Sequence, residues 1–70
     1  MAWDSKYLEN RKLEIKNGQV NIYLYHAGVY YETLYVGNAV SARWEGLDLI
    51  VTLADGTVRR YINKNSYVSY

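Results

Sequence analysis

Five glycines, Gly18, Gly28, Gly37, Gly46 and Gly56, stand 10, 9, 9 and 10 residues apart. That rhythm limits what the chain can fold into more than any other feature. Four of the five sit in pairs with turn character: Asn17-Gly18, Ala27-Gly28, Gly37-Asn38 and Asp55-Gly56, with Glu45-Gly46 the weakest signal. Asn-Gly and Asp-Gly are strong hairpin signals because both central residues of a type I′ turn need positive φ. The runs between the glycines are rich in Val, Ile, Leu, Tyr and Thr, and such runs at regular short spacing read as all-β. The spacing predicts strands near 12–16, 19–26, 29–36, 39–45, 47–54 and 57–63.

Two-residue turns at all five places fix a register, since opposed residues across a hairpin point to the same side. Leu13 then faces Ile22, and Ile15 faces Val20. Leu24 faces Tyr31, Ile22 faces Thr33 and Val20 faces Tyr35. Trp44, Ala42 and Val40 face Leu47, Leu49 and Val51, while Leu53 meets Val58 and Leu49 meets Ile62. One face collects nearly all the aliphatic side chains, so Val20, Ile22, Leu24, Leu49, Val51 and Leu53 are the expected core. The opposite face aligns Glu32, Arg43 and Asp48 as an alternating charge ladder. Such a row reads first as a solvated surface that adds little stability. A slip of one residue at any turn would exchange the faces of every later strand.

A chain of 70 residues is one small domain, and it contains no cysteine, so neither a disulfide nor a cysteine metal site staples it. Residues 1–12 form an N-terminal segment open to a short helix, capped at Asp4 or Ser5 with Trp3 and Leu8 spaced as a staple. Residues 12–63 are the β-meander, and 64–70 a tail or last strand. One sheet must have its apolar face covered. The three solutions are closure into a barrel, the N-terminal segment laid across the face, or a second copy stacked upon it. The expected architecture is a strongly curled antiparallel meander of about six strands, an SH3-like small barrel or half-barrel.

Little in the sequence points to catalysis. It carries a single histidine and no phosphate-loop, dinucleotide or paired-histidine motif. His26, beside the Ala27-Gly28 turn, reads as a sheet-end residue making a local hydrogen bond. No cofactor and no metal is expected. No apolar run approaches the ~20 residues of a spanning helix, and no signal segment opens the chain, so the expected location is cytoplasmic. Arg60 breaks the pattern by falling on the core face opposite Val51. An unpaired buried guanidinium is costly. A sheet edge or a bulge near Arg59-Arg60 resolves this, with a pocket or interface arginine as the functional alternative.

The outer face is richer than a plain solvated face. Tyrosine occurs nine times and phenylalanine not at all, and tyrosine suits interfaces with its apolar ring and polar tip. Tyr25 and Tyr30 are expected as cross-strand neighbours with Tyr23 beside them, next to a row of Leu34, Ser41, Ile50 and Tyr61. The candidate binding face is Tyr23, Tyr25, Tyr30, Leu34, Arg43, Ile50, Arg59 and Tyr61. The leading reading is a noncatalytic protein-interaction module, self-associating or bound to another protein. Self-association would run through an apolar patch centred on Ile50 and Tyr61, or through a free strand edge. The alternative is a single-stranded nucleic-acid binder that stacks bases on tyrosines and meets phosphates with Lys12, Arg43, Arg59 and Lys64. The net charge of +1 weighs against it. A small-ligand site on the aromatic residues ranks third and an enzyme last.

Overall fold

Asn17 and Gly18 both take positive φ, 53° and 78°, and the tight turn they make closes the first hairpin as the sequence dictates. It joins β1 (Leu13–Lys16) to β2 (Gln19–Leu24), with Leu13 opposite Ile22 and Ile15 opposite Val20. The structure, a computed structural model, describes residues 3–25 and 28–69; the expectation for His26 lies outside them.

Beyond the first hairpin not every connection keeps the two-residue rule. The chain from β2 to β3 (Tyr30–Leu34) leaves through Tyr25, at φ 58°, and pairs Leu24 with Tyr30, Ile22 with Glu32 and Val20 with Leu34. That register is one residue away from the expected one. Leu34 therefore enters the core, Glu32 comes to the core side, and Tyr31 and Thr33 turn outward. The next link does not form a hairpin. After β3 the chain leaves the first sheet, and β4 (Ala39–Glu45), β5 (Asp48–Leu53), β6 (Val58–Asn63) and β7 (Ser66–Ser69) build a second. All pairings are antiparallel, in sheets ordered β1-β2-β3 and β4-β5-β6-β7. The protein is nearly all antiparallel β, divided between two open meanders rather than carried in one continuous sheet.

Gly18 pins the crossing. Its carbonyl accepts hydrogen bonds from Gly37 N at 3.1 Å and Ala39 N at 2.9 Å, while Gln19 Oε1 accepts from Val36 N and Gly37 N. The loop thus commits its polar backbone to the first hairpin instead of to a ladder between β3 and β4.

In the second sheet Gly46 and Leu47 form the turn, so Glu45 opposes Asp48, Trp44 opposes Leu49 and Ala42 opposes Val51. This is two residues from the expected pairing and leaves the faces unchanged. A bulge between Ala39 and Ser41 leaves Val40 exposed. The Asp55-Gly56 turn differs more. Gly56 takes φ 90° but Asp55 does not join it; instead Asp55 Oδ1 accepts the Thr57 N–H at 2.9 Å. Leu53 N donates to Thr57 O, which makes the loop three residues long. The register moves by one, so Tyr61 opposes Leu49 and Arg60 opposes Ile50. Tyr61 thereby joins the core and Arg60 moves to the other face.

The core comprises Val20, Ile22, Leu24 and Leu34 from the first sheet and Ala39, Leu49, Val51, Leu53 and Tyr61 from the second, closed by Trp3 and Tyr7. All six expected core residues are buried. The N-terminal segment lies on the apolar side, the second of the three expected solutions. Its helix α1 is one turn, Ser5–Leu8, and Asp4 makes no side-chain cap. A helix so short holds only by packing. The Trp3 indole N–H donates to Tyr61 O at 3.1 Å, and the ring meets Tyr7 and Trp44 edge-on at 5.1 and 5.4 Å. Tyr25 N donates to Lys6 O, tying α1 to the end of β2. Residues 66–69 form the last strand that the tail allowed.

Candidate interaction surface

The registers bring together a tyrosine surface different from the one the sequence predicts. Strand alternation puts Glu14 and Lys16 of β1, Asn21 and Tyr23 of β2, and Tyr31 and Thr33 of β3 on the face of the first sheet that points away from the core. The Tyr23 and Tyr31 rings, directly opposed, lie 5.4 Å apart. The Lys12 ammonium sits 4.7 Å from the Tyr23 ring centroid. Beneath the rings runs a row of hydrogen bonds. Glu14 Oε1 accepts from Asn21 Nδ2 and from the Tyr23 hydroxyl, both at 3.2 Å, and Asn21 Oδ1 accepts from Thr33 Oγ1 at 2.8 Å. Asn21 is only 5% exposed; its amide is held from both sides as a buried polar group requires. Partial desolvation, with the Glu14 carboxylate second, raises the Tyr23 hydroxyl above its ordinary pKa and keeps it a neutral donor. Tyr31 is half exposed, and Tyr35, just past β3, is 81% exposed.

Of the residues expected to form one binding face, the structure keeps Tyr23 here, with Tyr25 and Tyr30 exposed at the adjoining end of the sheet. Tyr25 and Tyr30 are not opposed, because Tyr30 pairs with Leu24. Leu34 and Tyr61 are buried in the core. Ile50 lies on the second sheet, between Arg43 and Arg60 in register, and is 2% exposed. Arg43 pairs with Glu45 at 2.9 Å. Arg59 donates to the Tyr61 hydroxyl at 3.0 Å and stacks over the Tyr67 ring at 4.5 Å. Arg60 is the best satisfied of these cations: its guanidinium spans Asp48 at 2.5 Å and Glu45 at 2.6 Å. Its anomaly on the core face disappears with the three-residue turn. The expected Glu32–Arg43–Asp48 ladder does not form, since Glu32 belongs to the other sheet and Asp48 pairs with Arg60.

Glu32 instead centres a cluster the sequence does not announce. Its carboxylate accepts from the Tyr7 hydroxyl at 2.5 Å, Lys64 Nζ at 2.8 Å and Lys6 Nζ at 3.3 Å. Hydrogen bonds from Lys64 and then Tyr7 hold its pKa at about 2, against the opposing pull of burial. Burial and the same carboxylate push the Tyr7 hydroxyl upward. The group joins α1, β3 and the β6–β7 turn, whose residues are far apart in sequence. Every member is engaged, so the cluster is a clamp rather than an open site. Trp44 Nε1 is buried without a hydrogen-bond partner. Its ring lies against Trp3, with the Arg11 guanidinium 5.9 Å away and tethered to Gly46 O.

Sequence reasoning misses Tyr31 and Thr33 because the two-residue-turn register puts them inside. The signal that locates them is Leu34: an aliphatic residue at that position belongs in the core, which turns its neighbours Thr33 and Tyr35 outward. Among the described residues no group of three or more His, Cys, Asp or Glu side chains is placed to hold a metal ion, and no helix is long and apolar enough to cross a membrane. No family model, curated protein or solved structure matches the chain.

Proposed function

We propose that the chain is a noncatalytic protein-interaction module that presents the tyrosine face of its three-stranded sheet, and that it self-associates. One observation carries the reading: the Tyr23–Tyr31 pair rests on a polar row whose hydrogen bonds are already made. A partner covering this face would bury two rings without stranding Glu14, Asn21 or Thr33, and would freeze few side chains that are not already held. The overall shape we read as a half-barrel of the SH3-like kind, supported by two short meanders around one core with β1 beside β4.

The test is retention of a protein partner from an extract by immobilised wild type and by Tyr31→Ser/Tyr35→Ser. These side chains are exposed, so the variant keeps its circular dichroism and its melting temperature. A specific partner kept by wild type and lost by the variant supports the reading; equal retention by both removes this face from the proposal.

Single-stranded nucleic acid is the second reading, favoured by Lys12 over the Tyr23 ring, with Lys16 on the same face. Three of the four cations assigned to phosphates are otherwise engaged, Lys64 by Glu32, Arg43 by Glu45 and Arg59 by Tyr61 and Tyr67. An oligonucleotide titration at two salt concentrations distinguishes the readings, because phosphate contacts impose a steep salt slope.

A further inference from the structure

The two sheets have four outer strands, β1, β3, β4 and β7, and their edges are not equally protected. Exposed edges are normally blunted by charge, proline or a bulge, because their unpaired backbone groups template pairing with another chain. β4 packs beside β1 and carries the Val40 bulge together with Arg43 and Glu45. β1 carries Glu14 and Lys16, and β3 carries Glu32. Among its described residues β7 itself has none of these devices; the irregularity in its ladder, between Tyr61 and Asn63, lies on β6. Its sequence is Ser66-Tyr67-Val68-Ser69, all four residues are exposed, and among the described residues only β6 pairs with it. Its inner side is nevertheless well set. Tyr67 packs on Tyr61 at 4.9 Å and under Arg59 at 4.5 Å, and Val68 lies opposite Arg60. The strand is therefore held in extended form, with no strand on its other edge among the described residues.

We propose that a second copy of this chain pairs with β7, edge to edge and antiparallel, joining two four-stranded sheets into one of eight. This rests on the reading of the chain as a self-associating interaction module, and gives that association a site separate from the tyrosine face. The occupant is argued from self-complementarity. A two-fold axis normal to the sheet keeps each face continuous, so opposed residues share a face. The pairing about the axis is then Tyr67 against Tyr67, with Ser66 opposite Val68, or Val68 against Val68, with Tyr67 opposite Ser69. Aromatic and β-branched cross-strand pairs favour a sheet, and in neither register does a charge of Ser66–Ser69 meet a like charge, because the strand carries none.

The experiment is light scattering with size exclusion on the full chain at high micromolar concentration. Wild type is expected at twice its 8.2 kDa mass. Ser66→Glu/Val68→Glu opposes carboxylates across the axis in either register, while the carboxylate introduced at position 68 gains Arg60 as a cross-strand partner within its own chain. That variant is expected as a monomer with unchanged circular dichroism, and Tyr31→Ser/Tyr35→Ser is expected to stay dimeric. Should the glutamate variant fail to fold, single cysteines supply a second measurement in a chain that otherwise has none: Tyr67→Cys and Val68→Cys are treated with a short bis-maleimide, and Tyr35→Cys serves as the control. Cross-linked dimer at position 67 or 68 but not at 35 supports the proposal. A monomeric wild type, a glutamate variant that remains dimeric, or cross-linking confined to position 35 overturns it. A monomeric wild type whose tyrosine face still retains a partner would overturn β7 pairing and self-association while leaving the tyrosine face as an interaction surface; a dimeric wild type whose glutamate variant stays dimeric would overturn β7 pairing alone.

Discussion

Replacing Glu32 by Gln tests the clamp between the two sheets and the register that creates it. In the folded chain the Glu32 carboxylate titrates at about 2 rather than 4.5, chiefly because Lys64 and Tyr7 donate to it. At about 1.4 kcal/mol per pH unit that displacement is worth about 3 kcal/mol. Solvent reaches the side chain, which is 30% exposed, and screening lowers the expected contribution to about 1–2 kcal/mol. The sign follows from linkage. A carboxylate with a depressed folded pKa stabilises the fold fully above its unfolded value and loses that contribution as pH falls through the folded one. The stability gap between wild type and Glu32→Gln is therefore largest near neutrality and closes between about pH 5 and pH 2. Urea unfolding of both proteins at steps across this range measures it, and the other carboxylates cancel in the difference. A gap that stays constant from about pH 7 to about pH 2, or no gap near neutrality, refutes the clamp. Either result would favour a Glu32 turned to solvent, as the two-residue-turn register requires.

Two further pairs of substitutions test the rest of the frame. Ile22→Ala and Leu49→Ala empty fully buried positions, one in each sheet, and each should cost about 2–5 kcal/mol in denaturant unfolding; a loss below about 1 kcal/mol at both sites would place the core elsewhere. Gly18→Ala and Gly56→Ala both force alanine into positive φ, at 78° and 90°, but a Cβ on Gly18 runs into the Gly37 carbonyl while one on Gly56 meets open space. The Gly18 variant should lose at least about 1 kcal/mol more than the Gly56 variant, and equal losses would show that the turn and the crossing loop do not touch.

What the sequence discloses here depends on the length of each connection. Where glycine closes a two-residue turn, as at Asn17-Gly18, local chemistry fixes the register and the pairs Leu13–Ile22 and Ile15–Val20 follow directly. At Glu45-Gly46 the turn centre moves by one residue, which shifts the register by two, and alternation tolerates that; Ala42 and Trp44 keep their expected face. At the β2–β3 and β5–β6 hairpins the register instead moves by one. Asp55 uses its side chain to hold Thr57 instead of entering positive φ, and the faces of Arg59, Arg60 and Tyr61 exchange. Composition conceals the exchange, because tyrosine serves on either side of a sheet. Arg60 on the core face is the conflict visible in the sequence register, and it vanishes in the observed one; Leu34, expected on the outer face, enters the core. The Glu32 clamp is not legible at all: Lys6, Tyr7 and Lys64 reach it from segments that only the folded sheets bring together.

The position of the N-terminal segment alters the argument for self-association. A 70-residue chain without a staple needs its apolar face covered, and a second copy stacked face to face is one way to cover it. Here Trp3 and Tyr7 already do so, with the Trp3 indole N–H tied to the Tyr61 carbonyl and the Tyr7 hydroxyl to Glu32. Face-to-face stacking would have to displace two buried aromatic residues and break those bonds. An apolar association centre at Ile50 and Tyr61 fails for a different reason, since the two side chains occupy opposite faces of one sheet and both are buried. Pairing along a strand edge avoids both obstacles, because it uses backbone groups that the core never needed and leaves the N-terminal cover in place. The proposed self-association therefore rests on an uncapped sheet edge rather than on an unfilled core, and among the described residues β7 is the edge that carries the fewest blunting features.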